Sequence, residues 1–346
     1  KSGDNSFSKS LLNEISKTGS DTKEIFEDSI ANLNTTVVGS MLGNVQFQAA
    51  LAIDIMDRNL YERANDCRWW ALTTFFRQSM EMTELSTEQQ QQIGAILTYI
   101  NNLYTVYTNL IVYDTSGTIV AVSNPSEQRI VGQKIHAGWV QETLSVSSPQ
   151  RYSVSAFEKS EYYGSRPTYI YGAPIFGLQN PQEAVGGIAI VFDSEPQFQA
   201  MLEDALPKGG DGQVLTGCFA LFTDRSKTIL ASSSKEFKIG QAINIDEAFF
   251  SSPNGQGHST ILEYEGHYYV AGSATSQGYR EYKVNDGYVQ DIIALVLIHI
   301  GQVQKDELIE TVNKRECAYP HPQGSEEAIE VSTFYIKNRL YGVDSS

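Results

Sequence analysis

A fifteen-residue pattern occurs twice in this sequence, about 110 positions apart. Asn109–Ser123 reads as an apolar run, an Asp-Thr-Ser-Gly turn and a second apolar run, and Phe219–Ser233 repeats it. Aligned without gaps, Asp114 falls on Asp224, Ser116 on Ser226, Thr118-Ile119 on Thr228-Ile229, Ala121 on Ala231 and Ser123 on Ser233. Downstream, Val131-Gly132-Gln133 is matched by Ile239-Gly240-Gln241. Each copy then has a Tyr-rich stretch ending in small residues, Tyr169–Ala173 and Tyr268–Gly272. Each closes on an apolar run, Gly187–Phe192 and Ile292–Ile298. Two apolar runs around a turn form a hairpin. A repeat of this length is a duplicated domain; solenoid repeats have periods of roughly 20–50 residues. Each copy therefore predicts a hairpin, a Gly-Gln turn, a helical or loop insert and three antiparallel strands. That is one sheet with its helical elements to one side and a cleft between sheet and insert. The expected fold class is α+β, with a first module over 109–206 and a second over 207–300.

Ahead of the first copy the period is helical. Phe26, Ile30, Leu33, Val37, Met41, Val45, Leu51 and Ile55 recur at three- and four-residue steps, with slips at Gly39 and Gly43. One long helix, or two nearly collinear ones, is expected over 21–82, after a flexible polar N-terminus over 1–20. Ser86 with Gln89 forms a capping box, so a second helix is expected from there to about Tyr107, keeping 21–108 helical. Within the first helix, Leu60–Leu72 is dense in Trp and charge, including Arg63, Asp66, Arg68, Trp69 and Trp70. It reads as a face docked on the first module with ion pairs at its rim, or as a homodimer seam.

Charge and cysteine usage exclude several functions. A net charge of −16 with no basic stripe speaks against nucleic acid and anionic membrane surfaces. Cys67, Cys218 and Cys317 are too few and too scattered for a disulfide framework, which favours a cytoplasmic location, with a periplasmic one as the alternative. The longest purely apolar run is the seven residues Ile292–Ile298, so no membrane segment is expected. No nucleophile elbow, phosphate loop or zinc-protease motif occurs. The five histidines are singletons in sequence without metal-ligand spacing. The carboxylates of Glu263-Tyr264-Glu265 read as a solvated strand face, and Lys208–Gly212 as the linker between modules. No enzyme activity, cofactor or metal is expected.

The order of these pieces resembles the double-Cache, tandem PAS-like sensors of bacterial chemoreceptors and sensor kinases. The pieces are a long helix, two hairpin units and a strand Gly186–Asp193, and the resemblance covers about residues 22–300. It implies a non-enzymatic sensor that captures a small molecule in the first module and transmits along the long helix. In amino-acid-binding members of that family, an Arg followed two residues later by a Trp-Tyr pair holds the carboxylate. An Asp ending the last strand holds the amine. Here Trp139 and Asp193 match, but the segment Ile135–Val140 lacks both the Arg and the Tyr. The resemblance therefore points to a small polar or aromatic molecule other than an α-amino acid.

Trp139, Tyr152, Ser155, Arg166, Tyr169, Tyr171 and Asp193 are the expected pocket lining. Tyr169 and Tyr171 share a strand face by alternation, and Arg166 offers a planar fork to an anion. Each also has a structural reading. Asp193 can cap the helix that opens at Ser194-Glu195-Pro196, Trp139 can be a core anchor, and Arg166 a solvated charge.

Toward the C-terminus, a short helix at Asp306–Val312 and a linker over 301–324 are expected. Residues 330–344 then read as a hairpin turning at Lys337-Asn338, which resembles the opening strands of a CheW-like coupling domain over 325–346. That resemblance implies a chemotaxis kinase or receptor array as partner.

Overall fold

The computed structural model describes residues 3–278, 291–303, 331–336 and 339–344. These fall in two compact units, 1–303 and 304–346.

The first unit is built on α1 (Gly3–Ala71), followed by α2 (Thr74–Met80) and α3 (Thr87–Leu103). Helix α1 starts at Gly3, so the expected flexible N-terminus is helical over 3–20. The chain turns at Leu72-Thr73 and α2 is a separate short helix. At Ser86 the capping box is present in both directions: the Gln89 N–H donates to Ser86 Oγ and the Ser86 N–H to Gln89 Oε1. Helix α3 ends at Leu103, shorter than expected, because the chain must become extended for β1.

The first sheet contains β1 (Tyr107–Asp114), β2 (Ile119–Val122), β3 (Ser153–Val154), β6 (Ile170–Phe176) and β7 (Ala184–Phe192), in the order β2-β1-β7-β6-β3. Helix α4 (Gly138–Ser145) lies in its insert, which also holds the small hairpin of β4 (Glu158–Ser160) and β5 (Arg166–Thr168). After α5 (Ser194–Ala205) comes the second sheet. It contains β8 (Phe219–Asp224), β9 (Ile229–Ser232), β10 (Ser259–Tyr264), β11 (His267–Thr275) and β12 (Ile292–Gln302). Its order is β9-β8-β12-β11-β10, the same path as the first.

The duplication extends to register. Ile111 faces Val122 and Tyr113 faces Ile119, with a bulge between Val112 and Tyr113. Leu221 faces Ser232 and Thr223 faces Ile229, with a bulge between Phe222 and Thr223. Gly117 turns at φ +84° and its counterpart Lys227 at φ +68°, the left-handed region that glycine enters most cheaply.

Helix α1 lies along both sheets and joins their cores. Val45, Ala49, Ala52, Ile53, Met56 and Leu60 are buried in the same cluster as Val270 and Val296 of the second sheet and Ile188 and Ile190 of the first. The backbone approach is close: a Cβ on Gly272 would lie 2.9 Å from the Val45 carbonyl. Polar pins hold each contact. The Gln46 side chain donates to the Ser273 carbonyl at 2.8 Å. Buried Asp57 accepts from Ser276 Oγ at 2.6 Å and from the Gln277 and Gly278 N–H groups. On the first sheet, Arg77 of α2 donates to the Phe176 and Gly177 carbonyls, both at 2.8 Å.

The Leu60–Leu72 cluster docks on the first module, with one correction. Trp70 is buried against Tyr104 and Tyr107, whereas Trp69 is 75% exposed. Arg63 is not at the rim. It is 4% exposed, hydrogen-bonds Asn59 and lies 3.6 Å from Asp66, which also accepts from the Tyr107 hydroxyl. Gly187 clears room for the Tyr113 ring, and Gly186 for the Tyr113 carbonyl and the Met80 side chain.

By length and composition α1 is long and apolar enough to cross a membrane, an 18-residue stretch of it reaching a mean hydropathy of 1.2. Contiguous runs missed it because Asn44, Gln46 and Gln48 interrupt the apolar residues. Val45, Ala49, Ala52 and Ile53 in that stretch pack against the sheets.

In the second unit, β13 (Val331–Ile336) and β14 (Arg339–Asp344) pair antiparallel with Ile336 opposite Arg339; the expected turn residues Lys337 and Asn338 lie outside the described residues. The short helix at 306–312, the linker from 304 onward and Cys317 lie outside the described residues.

Candidate ligand-binding site

Alternation along the strand leading into β6 decides which side chains share a cavity. Tyr169 and Tyr171 point to the face covered by α1 and α5, where both are buried. Ile170 points to the other face, with Trp139, Val140 and Tyr163. Tyr152 joins the first set, stacked on Tyr171 at 6.2 Å between ring centroids and covered by Arg68. The two strand tyrosines do project together, but into the helix-packed core. Of the seven residues expected to line one pocket, Tyr152, Tyr169 and Tyr171 therefore lie across the sheet from Trp139.

On the insert side there is a cavity of about 180 Å³. Trp139 of α4, Tyr162, Ser155, Thr168 and Ile170 line it, with residues 158–161 forming its edge. Trp139 closes one wall and meets Tyr162 edge-on at 6.3 Å, and meets Tyr113 edge-on at 5.8 Å. It is both core anchor and cavity wall. Ser155 is committed to the backbone: its hydroxyl accepts from the Ile170 N–H at 2.9 Å and donates to the Ala156 carbonyl at 3.0 Å. A wider cleft of about 550 Å³ adjoins, sharing Glu161 and Tyr162 and adding Arg129, Lys134 and His136.

Tyr162 and Tyr163 sit on a single 3-10 turn, capped by Ser160, whose hydroxyl accepts the Tyr162 N–H. The turn ends at Gly164 and Ser165, both at positive φ. This geometry sends Tyr162 to the cavity and Tyr163 to the edge of the sheet. There the Tyr163 hydroxyl donates to Asp193 Oδ1 at 2.6 Å and accepts from the Glu195 N–H at 3.3 Å. Burial, and then the bond to Asp193, push the Tyr163 phenol up from its ordinary value.

Asp193 stands at the N-cap of α5 but makes no side-chain cap bond, so its carboxylate serves Tyr163 instead. Arg166 lies over the Tyr163 ring at 4.0 Å and pairs with Glu195 at 2.5 Å. Its guanidinium is half exposed and already matched, so it is not a free fork for an anion.

The structure thus brings Trp139 and Ser155 to the cavity and links Asp193 to Arg166 through Tyr163. Sequence reasoning missed Tyr162, Tyr163 and Thr168. The Tyr density of 161–171 marked the region, but only the β4–β5 hairpin and its 3-10 turn decide which ring faces where.

The Cache_WalK family, described as the WalK sensor protein kinase Chache domain, matches residues 92–191, from α3 to the end of β7. No curated protein matches the chain. Among solved structures, the sensor domain of the Vibrio cholerae (V. cholerae) histidine kinase DctB is similar at 13% identity and a TM-score of 0.52, covering 76% of this chain and 98% of that one. The ligand-binding domain of the Campylobacter jejuni chemoreceptor Tlp3, in complex with 4-methylisoleucine, is similar at 14% identity and TM-score 0.53, covering 83% of this chain and 97% of that one. The Tlp3 sensory domain also matches at 14% identity and TM-score 0.53, over 77% and 96% of the two chains.

Residues 92–191 thus match a Cache-type sensory family model, and the chain shares the fold of the similar sensor domains. Its fold is the mixed one expected, a long helix with two antiparallel sheet modules. None of these matches supports the CheW-like resemblance of the C-terminal hairpin or the cytoplasmic location drawn from the cysteines. Cys67 and Cys218 are free thiols, and unpaired thiols are compatible with either compartment.

Proposed function

We propose that this chain is the small-molecule sensor of a receptor in a chemotaxis or two-component pathway, working on the outer side of the cytoplasmic membrane and taking its ligand in the first module. One observation carries this reading. The module that matches the Cache family has a cavity walled by Trp139 and Tyr162, and beside it the Tyr163–Asp193 bond ties the cavity edge to the start of α5. At about 180 Å³ the cavity is smaller than the roughly 300–1,000 Å³ of drug-sized pockets, so the ligand is a compact polar or aromatic metabolite.

A ligand shifts a two-state equilibrium only by its differential affinity for the two states. Filling the cavity moves Tyr162, and with it Tyr163 on the same turn. The strain then reaches Asp193 and α5. Phe198 of α5 packs edge-on against Phe222 of β8 at 5.6 Å, which passes the change to the second module. A thermal-shift screen of small metabolites tests this reading. Hits that stabilise the wild type are expected to lose their shift in Trp139→Ala and to weaken in Tyr163→Phe. Hits that stabilise both variants as well as the wild type would place the ligand elsewhere.

A further inference from the structure

The five histidines are isolated in sequence, yet two of them meet across the second sheet. His267 opens β11 and His299 lies near the end of β12. The bulge between Tyr268 and Tyr269 sets Tyr269 opposite His299, which brings the two imidazoles onto neighbouring positions. Nδ1 of His267 and Nε2 of His299 are 3.0 Å apart. Both rings are half-buried, with Tyr269 against each.

We propose that His267 and His299 form a binding site for a divalent late transition-metal ion, copper(II) or nickel(II), in the second module. The separation is the argument. Two imidazole nitrogens ligating one ion at about 2.1 Å each, at a right angle, stand roughly 3.0 Å apart. Tetragonal copper(II) and nickel(II) take nitrogen ligands in that cis arrangement, and imidazole suits both. Without an ion, the same separation holds an N–H···N hydrogen bond between neutral rings. Binding then requires that the donating ring move its proton to its other nitrogen and that both rings turn until their lone pairs meet at the ion. No proton is lost and no redox step is involved.

The surroundings fit a cation. Glu236 and Glu265 act electrostatically on neighbouring Tyr269, and the chain carries a net charge of −16. Among the described residues no group of three or more His, Cys, Asp or Glu gathers at ligand spacing, so the remaining coordination positions are left to water or an incoming small ligand. Cys218 sits nearby, taking a backbone hydrogen bond from His299. The consequence is mechanical. The Val303 N–H donates to the Gly266 carbonyl at 2.9 Å, immediately beside His267, so an ion here clamps the end of β12 to the start of β11 where the chain leaves the module.

The test uses the full chain without an affinity tag, titrated calorimetrically with copper(II) and nickel(II) chloride, with paramagnetic resonance of the copper form. The expected result is one ion per chain, a copper spectrum split by two nitrogens, and at least tenfold weaker binding in His267→Gln and in His299→Gln. Absence of binding, or binding and nitrogen splitting unchanged in both variants, overturns the proposal. Should the variants melt below the wild type in EDTA, wild-type protein treated with diethylpyrocarbonate decides. Protection of His267 and His299 by copper(II) supports the site, and equal modification with and without the ion refutes it.

Discussion

Asp114 and Asp224 do the same work in two copies of one hairpin, 110 residues apart. Asp114 Oδ1 accepts the Thr118 N–H at 2.8 Å, and Asp224 Oδ1 accepts the Thr228 N–H at 2.8 Å. Ser123 and Ser233 complete the correspondence, their hydroxyls accepting the N–H groups of Leu110 and Ala220 at 2.8 and 2.9 Å. A short acidic side chain that satisfies turn N–H groups holds the turn without help from the sheet ladder.

The two turns differ in how much their aspartate holds. Asp114 also accepts from the Ser116 N–H and hydroxyl, at 2.8 and 2.7 Å. Asp114→Ala is expected to cost about 2 kcal/mol and Asp224→Ala about 1 kcal/mol, since each bond contributes roughly 0.5–1.5 kcal/mol net. Urea denaturation of the two variants checks both the order and the magnitudes.

How far the sequence reaches is visible in the same hairpin. The Asp-to-Asp alignment found the duplication, because turn chemistry is local and period-two patterning follows burial on each face. It placed the end of β7, the capping box at Ser86 and the pairing of the two C-terminal strands. It failed where long-range register decides. Tyr171 and Trp139 both read as pocket residues until the sheet put them on opposite faces, and His267 and His299 stand 32 residues apart until a bulge aligns them. Arg63 looked like a rim charge because sequence shows its acidic neighbours and not the Tyr107 and Phe192 rings that cover it.

Asp57 joins α1 to the end of β11. It is 2% exposed, and its carboxylate takes Ser276 Oγ and two loop N–H groups. Hydrogen bonds to a charged group contribute roughly 1.5–3 kcal/mol, and loss of this one also strands buried donors. Asp57→Ala is therefore expected to destabilise by about 3 kcal/mol. Hydrogen exchange should show faster exchange at Gln277 and Gly278, while the turn at Ser116–Thr118 stays protected.

The exposed apolar row on α1 is an unsatisfied surface. Phe26, Ile30, Leu33 and Val37 fall at steps of four, three and four and are 65, 57, 63 and 48% exposed. That spacing is the seam of a paired helix. If α1 pairs with a second copy, Leu33→Asp should turn a dimer into a monomer in light scattering, because each such side chain contributes about 1.5–3 kcal/mol when buried. An unchanged mass would show that the row is covered by something else.

Burial raises the Asp66 carboxyl above its ordinary value of 3.8, and this outweighs the Tyr107 hydrogen bond and the Arg63 charge that lower it. The folded state thus holds a proton that the unfolded chain releases between 3.8 and the raised folded value. Through that window the native state binds more protons, so the Asp66 contribution to stability falls as pH rises and levels off once the carboxyl is ionised in both states. Asp66→Asn removes that titration while keeping an acceptor for Tyr107. The difference in melting temperature between wild type and Asp66→Asn should move against the wild type as pH rises from 4 toward neutrality. A difference that is flat over this range, or that moves in favour of the wild type, would mean that Arg63, 3.6 Å away, outweighs the desolvation of the carboxyl.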